Sequence, residues 1–541
     1  MVFIDEASAE RIGLNHIRQR LQPLGPYGKL MKQKMPVYLP GTEPQLKREW
    51  ILVRSILELE DWSALRDLEL VLHGLRDIRA IIRKASLGNV LEDIELFEVK
   101  RFLGAAARAS ELAAKLEIPA RLRPPALSEL SATLARDNSP GFYLADSYAP
   151  RLAEYREERR RLKSALSRKR EEAQAAICKK TGKGFNHQGL LPIDKLEEDL
   201  IRELSNCPQL VLAAETYTQV EFKLRESPEM SALQRQIEAL EARIQDLEHQ
   251  VRIVLSKEVA CARRLLLAAC RRLGRLDLVL AKARLARSTT WCVPEIVAGP
   301  RLYLRDFINL PVAEHLSQRG LSFQAISLSL GETPVTAITG ANMGGKSVSL
   351  KSTGLAVAMA QLGLLVPARE FKFTLRDFIF YSQQDEDPVQ GLSTFGAEIS
   401  ALAKVLRQRD KAGLYLLDEP ARGTNPWEGN ALVKAIAHWL GQGKSLTLIA
   451  THFPGLSELT DITRLRVAGL TLEAGFDLSG SSLRGGLEQI NRLMNYALVP
   501  STGEVPQEAL KIAALLGLSP EILAKARQEM GASSPQEELM E

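Results

Sequence analysis

The longest uninterrupted helical pattern in this 541-residue chain lies between Pro228 and Gly274. Ser227 and Pro228 form an N-cap followed by proline at the first helical position, and neither Gly nor Pro returns before Gly274. About 46 residues at 1.5 Å each make a rod of roughly 70 Å, far longer than a globular helix requires. The sequence therefore predicts one helix to Leu273. Its apolar residues alternate in steps of four and three, the period of a left-handed coiled coil: Leu233, Ile237, Leu240, Ile244, Leu247, Val251 and Val254.

A second, heavily charged helical stretch runs from about Arg151 to Cys178, and its thin apolar seam repeats at steps of seven and four. We expect the two stretches to pair as an antiparallel arm. Between them, the Lys/Gly-rich run 179–184 predicts a loop, and the β-branched and aromatic run Gln209–Leu224 predicts a strand or two. The arm would then carry a small tip. The alternative interpretation is a solvated, charged coiled coil that ends in a loop.

The distribution of charge also draws attention to this arm. Over the whole chain the net charge is only +5, which does not by itself indicate nucleic-acid binding. Residues 151–188 contain twelve Lys or Arg and five Glu, a net +7, so the rest of the chain carries −2. The interleaved Glu residues allow ordinary intrahelical pairing as an alternative to phosphate contacts. At the tip, Lys179, Lys180 and Lys183 are the candidate contacts to DNA or to an acidic protein partner.

The remaining segments divide by their periodicity. Within residues 1–130, apolar residues recur at three- and four-residue steps, which predicts an all-helical core domain over 1–150. From about Trp291, short apolar runs alternate with helical stretches, which predicts a mostly parallel α/β sheet. We therefore expect four regions: a helical core over 1–150, the arm and its tip over 151–290, the α/β domain over 291–480, and two short C-terminal helices with an acidic tail over 481–541.

Cysteine usage and hydropathy limit the compartment. The five cysteines are scattered, with no Cys-x-x-Cys pair and no histidine at a zinc-site interval, and predict reduced thiols rather than a metal site. Residues 1–10 lack the apolar core of a secretory signal, and no run approaches the roughly 18 apolar residues that cross a bilayer. We expect a cytoplasmic protein without membrane contacts.

A glycine-rich turn follows the apolar run Val335–Thr339 and opens a helix. It matches the pattern G-x-x-x-x-G-K-[ST], in which backbone N–H groups and the helix N-terminus surround phosphate. Lys346 is expected to reach the β- and γ-phosphates of ATP, and the Ser347 hydroxyl to bind Mg²⁺. The alternative is a chance strand-to-helix turn. The nucleotide-binding candidates in this turn are Gly340, Asn342, Met343, Gly344, Gly345, Lys346 and Ser347.

Two further apolar strands end in residues suited to the same site. Leu414–Leu417 is followed by Asp418, a candidate ligand of the nucleotide-bound Mg²⁺, and by Glu419, which could orient or deprotonate the attacking water. Leu446–Ala450 is followed by Thr451 and His452, and this histidine could sense the γ-phosphate or hold the water. The alternative for the acidic pair is a surface turn after a buried strand, and the alternative for His452 is a structural role.

A small polar group precedes the helix predicted over 396–408. Ser393 and Thr394 lie at its start, and a helix end of this kind could bind an anion. Because no phosphate is expected nearby in the same subunit, the group would face the nucleotide of a second subunit. Locally, it could equally be an N-cap.

Four segments together resemble the MutS family of ATPases: 340–347, 392–395, 417–429 and 450–453. The pair Asn342-Met343 before Gly-Gly-Lys is the most specific feature, and the resemblance is strongest over 291–475. It implies an ABC-type P-loop ATPase that forms a homodimer through its ATPase domains, preceded by a helical core, paired lever helices and a clamp. In the implied composite site, one subunit supplies Lys346, Ser347, Asp418, Glu419 and His452, while Ser393 and Thr394 of the other reach the same nucleotide.

Departures from the family pattern bear on function. Residues 1–130 contain no Phe-x-Glu motif, the wedge that kinks a mismatched duplex, so we expect no direct mismatch reading. The segments 423–429 and Val279–Ala286 resemble the second MutS subfamily, but we expect none of its C-terminal nuclease-like domain in this sequence. The shortened form is similar to MutS-related ATPases described as reactivases of a cobalamin-dependent lysine aminomutase. We therefore expect a nucleotide-gated, DNA-binding clamp, with the aminomutase reactivase as the alternative.

Overall fold

The computed structural model describes residues 2–59, 62–63, 65–136, 144–287, 290–340, 344–382, 394–408, 410–453, 456, 459–470, 493–501, 509–515 and 518–532. The chain divides into two compact units. Unit 1 comprises Met1–His73, Ala113–Leu122 and Leu273–Glu541, and unit 2 comprises Gly74–Leu112 and Arg123–Arg272. Within the described residues, no helix is both long enough and apolar enough to cross a membrane.

The described α-helices are, in chain order, α1 (Glu6–Arg11), α2 (Leu14–Arg20), α3 (Pro26–Gln33), α4 (Glu43–Leu57), α5 (Leu65–His73), α6 (Arg79–Ser86), α7 (Asp93–Lys115), α8 (Ser128–Leu134), α9 (Pro150–Thr181), α10 (Glu198–Ser205), α11 (Pro228–Cys261), α12 (Arg263–Ala286), α13 (Leu310–Ser317), α14 (Lys346–Gln361), α15 (Thr394–Leu406), α16 (Pro426–Gly441), α17 (Ala509–Leu515) and α18 (Pro520–Ala532). Short 3₁₀ turns occupy Ala120–Leu122 and Asp146–Tyr148.

The described β-strands are β1 (Leu190–Asp194), β2 (Leu210–Glu215), β3 (Gln219–Leu224), β4 (Glu295–Ile296), β5 (Leu302–Phe307), β6 (Ile326–Leu330), β7 (Val335–Thr339), β8 (Glu370–Phe373), β9 (Phe378–Ser382), β10 (Gly413–Asp418), β11 (Leu446–Ala450), β12 (Thr463–Leu470) and β13 (Met494–Pro500). They form sheets with the orders β1-β3-β2, β13-β12-β7-β11-β10-β9 and β4-β8-β5-β6.

Unit 1 is built around the six-stranded sheet. Its strands β9, β10, β11, β7 and β12 are parallel, and β13 pairs antiparallel with β12 at one edge. Strands β9, β10 and β11 are buried along their whole length, as expected for a parallel sheet covered on both faces. Helix α14 is also buried almost throughout, because its small residues permit close packing. A Cβ on its Gly354 would lie 2.7 Å from a methyl group of Leu416. The predicted parallel α/β sheet is thereby confirmed.

The N-terminal residues of the chain pack on this sheet. The amide of Ile379 in β9 donates to the carbonyl of Phe3 across 2.8 Å, and the amide of Tyr381 donates to the Ser8 hydroxyl across 3.1 Å. Helix periodicity predicts the helices of this segment but not their packing against a strand that follows about 370 residues later.

Unit 2 contains two long helices that run antiparallel. Ion pairs join α9 to α11 in descending register, Arg156 with Glu248 at 2.7 Å and Lys163 with Glu241 at 2.7 Å, and Arg170 pairs with Glu226, just before α11, at 2.6 Å. A narrow apolar seam lies between the two helices and includes Leu166, Met230 and Ile237. The three-stranded antiparallel sheet with α10 forms a separate small core that includes Ile177, Leu191 and Phe222. The strands predicted within 209–224 are confirmed as β2 and β3, whereas β1 and α10 were not predicted.

The prediction of one helix ending at Leu273 is wrong in two respects. First, the helix is interrupted at Ala262, between α11 and α12. Second, α12 continues through Gly274 to Ala286. Gly274 does not terminate the helix, and a Cβ at this position would lie 2.8 Å from the carbonyl oxygen of Tyr27. The glycine is explained by close packing against a backbone that is distant in sequence.

Candidate nucleotide site

The ends of three neighbouring strands position the candidate site. Asp418 at the end of β10 is in register with Ala450 of β11, and Ala450 is in register with Ile338 of β7. The amide of Glu419 donates to Ala450 across 2.9 Å, which holds the residue after β10 against β11. Since parallel strands end at the same edge, the sheet gathers the glycine-rich turn, the acidic pair and His452 into one place.

The glycine-rich turn requires glycine at two positions that the structure describes. Gly340 has φ +141° and Gly345 has φ +83°, a region that side chains other than glycine rarely adopt. A Cβ on Gly340 would lie 3.2 Å from Val467, and one on Gly345 would lie 3.0 Å from the ring of Tyr496. Helix α14 begins at the next residue, Lys346, as predicted. Gly344 is buried beside the turn, whereas the predicted residues Asn342 and Met343 lie outside the described residues.

Lys346 points back into this turn. Its Nζ donates to the carbonyl of Gly340 across 2.8 Å and lies 3.0 Å from Nε2 of His452. Burial lowers the pKa of Lys346 to about 8, and the nearby carboxylates of Glu419 and Asp418 oppose that shift. A phosphate group that replaced the protein partners of this ammonium would favour its charged form.

Asp418 accepts a hydrogen bond at each of its carboxylate oxygens. The Ser347 hydroxyl donates to Oδ1 across 3.0 Å, and the Tyr381 hydroxyl donates to Oδ2 across 2.7 Å. Burial, followed by the charge of Asp418, raises the pKa of Tyr381, so the phenol stays protonated and remains a donor. The hydroxyl and carboxylate oxygens supplied by Ser347 and Asp418 are the hard donors that Mg²⁺ prefers. The residues present therefore fit a Mg²⁺ ion that takes its other ligands from phosphate and water.

Histidine and glutamate side chains adjoin the same turn. Nε2 of His452 lies 2.7 Å from Oε1 of Glu419, and Arg422 lies 3.1 Å from Oε2 of the same carboxylate. Glu419 has φ +50°, a backbone conformation that is uncommon outside glycine and often marks a functional position. Burial and the charge of Lys346 lower the pKa of His452, which favours the neutral ring near pH 7.

A cavity of about 630 Å³ opens beside the glycine-rich turn. Its lining includes Gly344–Ser349 and Glu419, together with residues of α13 and the segment that follows it. Phe323, Gln324 and Tyr496 also line the cavity. The volume is within the range of small-molecule sites, and the lining combines aromatic surface with polar groups.

Several of these residues were not predicted from the sequence. Arg422 lies within the segment 417–429 but was given no role there, and Tyr381, Phe323 and Tyr496 belong to no motif with characteristic spacing and lie on segments far in sequence from the acidic pair. The register of β9 beside β10, which places Leu416 opposite Tyr381, identifies Tyr381 as a neighbour of Asp418. That register follows from the sheet order, which the sequence did not provide.

Two sets of predicted functional residues are not seen at the strand-end site: the pair Ser393 and Thr394, and the three tip lysines. Ser393 is outside the described residues, and Thr394 is described only as the first residue of α15, without its side chain. In unit 2, Lys180 lies 3.6 Å from Glu203 and Lys183 lies 2.8 Å from Glu197, whereas Lys179 is exposed. The three tip lysines are therefore not equivalent.

The basic segment of the arm is largely paired with acids. All of residues 151–188 are described, and ten of their twelve cations lie within 4.0 Å of a carboxylate. Several of these acids come from α11 and from the tip rather than from α9 itself, among them Glu241, Glu203 and Glu197. The local excess of positive charge in the sequence is thus reduced by residues that the fold brings beside it.

The part of the chain that contains these strand ends is similar to a known protein domain. Residues 336–532 match MutS domain V. The chain carries a MutS domain V. This domain contains the described part of the glycine-rich turn together with Asp418, Glu419 and His452, so the resemblance seen in the motifs is confirmed at the level of the domain.

Similarity to known proteins also extends upstream of this domain. An Endonuclease MutS2 from Thermomicrobium roseum is 31% identical over 492 residues, which cover 86% of this chain and 58% of that protein. A DNA mismatch repair protein MutS from Methanothrix thermoacetophila is 30% identical over 436 residues, or 75% of this chain and 48% of that protein. Another from Acetivibrio thermocellus is 28% identical over 271 residues, covering 49% and 29%. The chain thus spans less than two thirds of these relatives.

Proposed function

We propose that this chain binds ATP with Mg²⁺ in the cavity beside the glycine-rich turn and hydrolyses it. The observation that carries the proposal is the convergence of Lys346, the Ser347–Asp418 oxygen pair and the Glu419–His452 pair at one edge of the sheet. These are the groups that phosphoryl transfer to water requires: a cation for phosphate, oxygen ligands for a metal, and a base for water.

Phosphate binding would redistribute the contacts of Lys346. In the structure, Nε2 of His452 lies within hydrogen-bonding distance of both Lys346 and Glu419. A single ring nitrogen either accepts from the ammonium or donates to the carboxylate, but not both at once. When Lys346 turns to the β- and γ-phosphates, Nε2 can donate to Glu419 and hold that carboxylate toward the water.

Ser347 and Asp418 would hold the Mg²⁺ ion, and Tyr381 would fix the carboxylate of Asp418 in orientation. When bound, the ion neutralises charge that develops on the phosphate oxygens. Glu419 would orient or deprotonate the attacking water. The aromatic wall around Phe323 and Tyr496 would accommodate the nucleobase and the sugar.

The active form is proposed to be a homodimer that joins through the ATPase domains, with Ser393 and Thr394 of one subunit reaching the nucleotide of the other. Trp427 supports such an interface, because 85% of its surface is exposed only eight residues after Glu419. An exposed tryptophan beside the acidic pair is suited to burial by a second copy of the chain.

DNA is the proposed partner of this protein, which would act in the cytoplasm as a nucleotide-gated clamp. Support comes from relatives named Endonuclease MutS2 and DNA mismatch repair protein MutS. The alternative client is a protein of the aminomutase type. The pairing of most arm cations with acids favours this alternative at the arm, because paired cations gain less from contacting phosphate groups.

The decisive test of the ATPase proposal is the Glu419→Gln variant. Loss of the carboxylate should lower the hydrolysis rate about 10²- to 10⁴-fold while ATP binding persists. The matched control is Glu332→Gln, which makes the same change at an exposed position before β7. Equal turnover in wild type and Glu419→Gln would contradict the role of Glu419, and unmeasurable ATP binding by the wild type would contradict the site.

The partner is tested by salt titration of binding to duplex and branched DNA, with and without ATP. The DNA proposal expects affinity that falls steeply with salt and changes with the nucleotide. Reversal of Lys179, Lys180 and Lys183 to Glu should weaken binding if the tip contacts phosphate. Absence of DNA binding at low salt, together with stable capture of a cobalamin-dependent aminomutase, would select the protein client.

A further inference from the structure

The junction of α11 and α12 in unit 2 presents a second concentration of positive charge. Residues 257–272 contain five Lys or Arg and one Glu. The side chains of Lys257, Arg263, Arg264, Arg271 and Arg272 are all exposed. The chain remains nearly helical across Ala262, because the amide of Ala262 donates to Glu258 and that of Leu266 donates to Ala262, each across 3.0 Å.

Helical spacing places three of these cations on one face. Lys257, Arg264 and Arg271 are separated by seven residues each, about two turns, and Cys261 lies between the first two on the same side. This face, termed the junction face, points away from the buried residues Leu255, Val259 and Leu266. Cys261 is exposed, and Leu265 beside it keeps 51% of its surface exposed.

The junction face differs from the arm in its ion pairing. Within the described residues, no carboxylate lies within 4.0 Å of Lys257, Arg264 or Arg271, and Arg272 donates to the carbonyl oxygen of Arg123 rather than to an acid. On the arm, by contrast, the strongly exposed Arg160 and Arg161 both lie beside Glu157. The junction face therefore carries three exposed cations without an acidic partner among the described residues, whereas most cations of the arm are paired.

The spacing of these cations suits a regular row of anions. Seven helical residues rise about 10 Å, so Lys257 and Arg271 are about 21 Å apart along the axis. A DNA strand presents one phosphate per 3.4 Å of duplex axis, so the row would span roughly six base pairs.

We propose that the junction face is a contact surface for the phosphate backbone of duplex DNA. The inference rests on the proposed DNA-binding function and assigns the contact to Lys257, Arg264 and Arg271 rather than to the tip lysines. Because these residues contact phosphate and not base edges, binding through them is independent of base sequence.

The test compares two triple variants with the same change in charge. Lys257→Gln/Arg264→Gln/Arg271→Gln removes the junction cations, and Arg160→Gln/Arg161→Gln/Arg168→Gln removes three exposed arm cations that have acidic neighbours. For a 30-base-pair duplex, the junction variant should reduce the slope of log K against log salt concentration by about 3, and the arm variant by less than about 1. Both should hydrolyse ATP without DNA at the wild-type rate.

A cross-linking experiment locates the DNA contact on the protein without depending on the folding of the triple variants. A photoactivatable maleimide on exposed Cys261 should cross-link to the duplex, and the Cys261→Ser variant treated identically should lose that product. Wild-type DNA binding with an unchanged slope in the junction variant and no cross-link at Cys261 would overturn the inference. Failure of the wild-type chain to bind duplex would instead overturn the proposed DNA function. Binding of poly-glutamate but not duplex would identify an acidic protein partner and also overturn the inference.

Discussion

The Tyr381 hydroxyl donates a hydrogen bond to Oδ2 of Asp418 across 2.7 Å, while the Ser347 hydroxyl donates to the other carboxylate oxygen, Oδ1. The tyrosine is buried and its pKa is raised, so the proton stays on the phenol. Asp418 is consequently fixed in orientation before any ion binds. This relationship joins β9 to β10 and makes β9 part of the proposed metal site.

Tyr381→Phe should weaken the Mg²⁺ dependence of ATP hydrolysis. Loss of a hydrogen bond that orients a metal ligand lowers metal affinity by about 10- to 100-fold, so the Mg²⁺ concentration for half-maximal rate should rise by a similar factor. The rate at saturating Mg²⁺ should change less. The measurement is a Mg²⁺ titration of the hydrolysis rate at fixed ATP.

Tyr415→Phe is the matched control, because Tyr415 is also buried and donates to the carbonyl of Val405 across 2.9 Å. It should lower stability modestly and leave the Mg²⁺ titration unchanged. An identical Mg²⁺ shift in both variants would assign the effect to general loosening of the sheet and contradict the role given to Tyr381.

The affinity for ATP should depend on the protonation of Lys346. Its pKa of about 8 means that the free site holds a charged ammonium at pH 7 and a mostly neutral amine at pH 9. Because phosphate favours the charged form, binding at pH 9 must take up about one proton, and the Kd should rise about tenfold from pH 7 to pH 9. Calorimetric titration in two buffers of different ionisation enthalpy measures this uptake.

A Lys346→Arg variant serves as the comparison, since its guanidinium stays protonated throughout this range. Whatever affinity it retains should show no proton uptake at pH 9. Zero uptake by the wild type at pH 9 would mean that Lys346 remains charged in the free site.

Gly274→Ala should destabilise the chain by about 1–3 kcal/mol, because the added Cβ would lie 2.8 Å from the backbone oxygen of Tyr27. Gly104→Ala in α7 is the matched control, since a Cβ there meets no atom within 4 Å. The control should stabilise by about 0.5–1 kcal/mol through helix propensity. Urea unfolding midpoints distinguish the two, and stabilisation by both substitutions would refute the packing account of Gly274.

Lys282→Met should be among the most destabilising substitutions in unit 1. The Lys282 side chain is 1% exposed, and its ammonium pairs with the equally buried Glu49 at 2.7 Å and also donates to the carbonyls of Leu362 and Gly363, just after α14. Burial lowers the pKa of Lys282 well below its ordinary value. Removing one partner of a buried pair costs about 3–5 kcal/mol, measured by denaturant unfolding.

A partly exposed ion pair serves as the control for the stability cost of breaking the buried Lys282–Glu49 pair. Lys84→Met breaks the partly exposed pair with Glu95 and should cost about 1 kcal/mol or less. In a double-mutant cycle, adding Glu49→Gln to Lys282→Met should cost less than Glu49→Gln alone. Strict additivity of the two substitutions would show that the pair is not coupled.

Local sequence determined much of unit 1. The runs Val335–Thr339 and Leu446–Ala450 are strands with the predicted bounds, because burial on both faces of a parallel sheet favours strands that are mostly apolar. The glycine-rich turn and the acidic pair were also identifiable, since backbone geometry at a phosphate site demands glycine at fixed spacing. The four predicted regional boundaries stay predictions, as does the coiled-coil lever arm.

Tertiary structure decided the features that depend on residues far apart in the chain. Gly274 was wrongly predicted to end a helix, because the sequence does not show that the Tyr27 backbone packs against this position. The net +7 of residues 151–188 indicated a basic surface, but Glu241, Glu203 and Glu197 neutralise part of it once the chain folds.

By itself, then, the sequence determined the glycine-rich turn, the acidic strand end and the helical or strand character of most segments, because these follow from short-range periodicity and backbone geometry. The partners of each polar group were decided by the fold, because Coulomb and hydrogen-bond energies depend on distance in space. Tyr381 reaches Asp418 across 37 positions in the chain, and Lys282 reaches Glu49 across 233. Only the tertiary structure decided which charges are paired and which, as at Lys257, Arg264 and Arg271, face solvent without an acid.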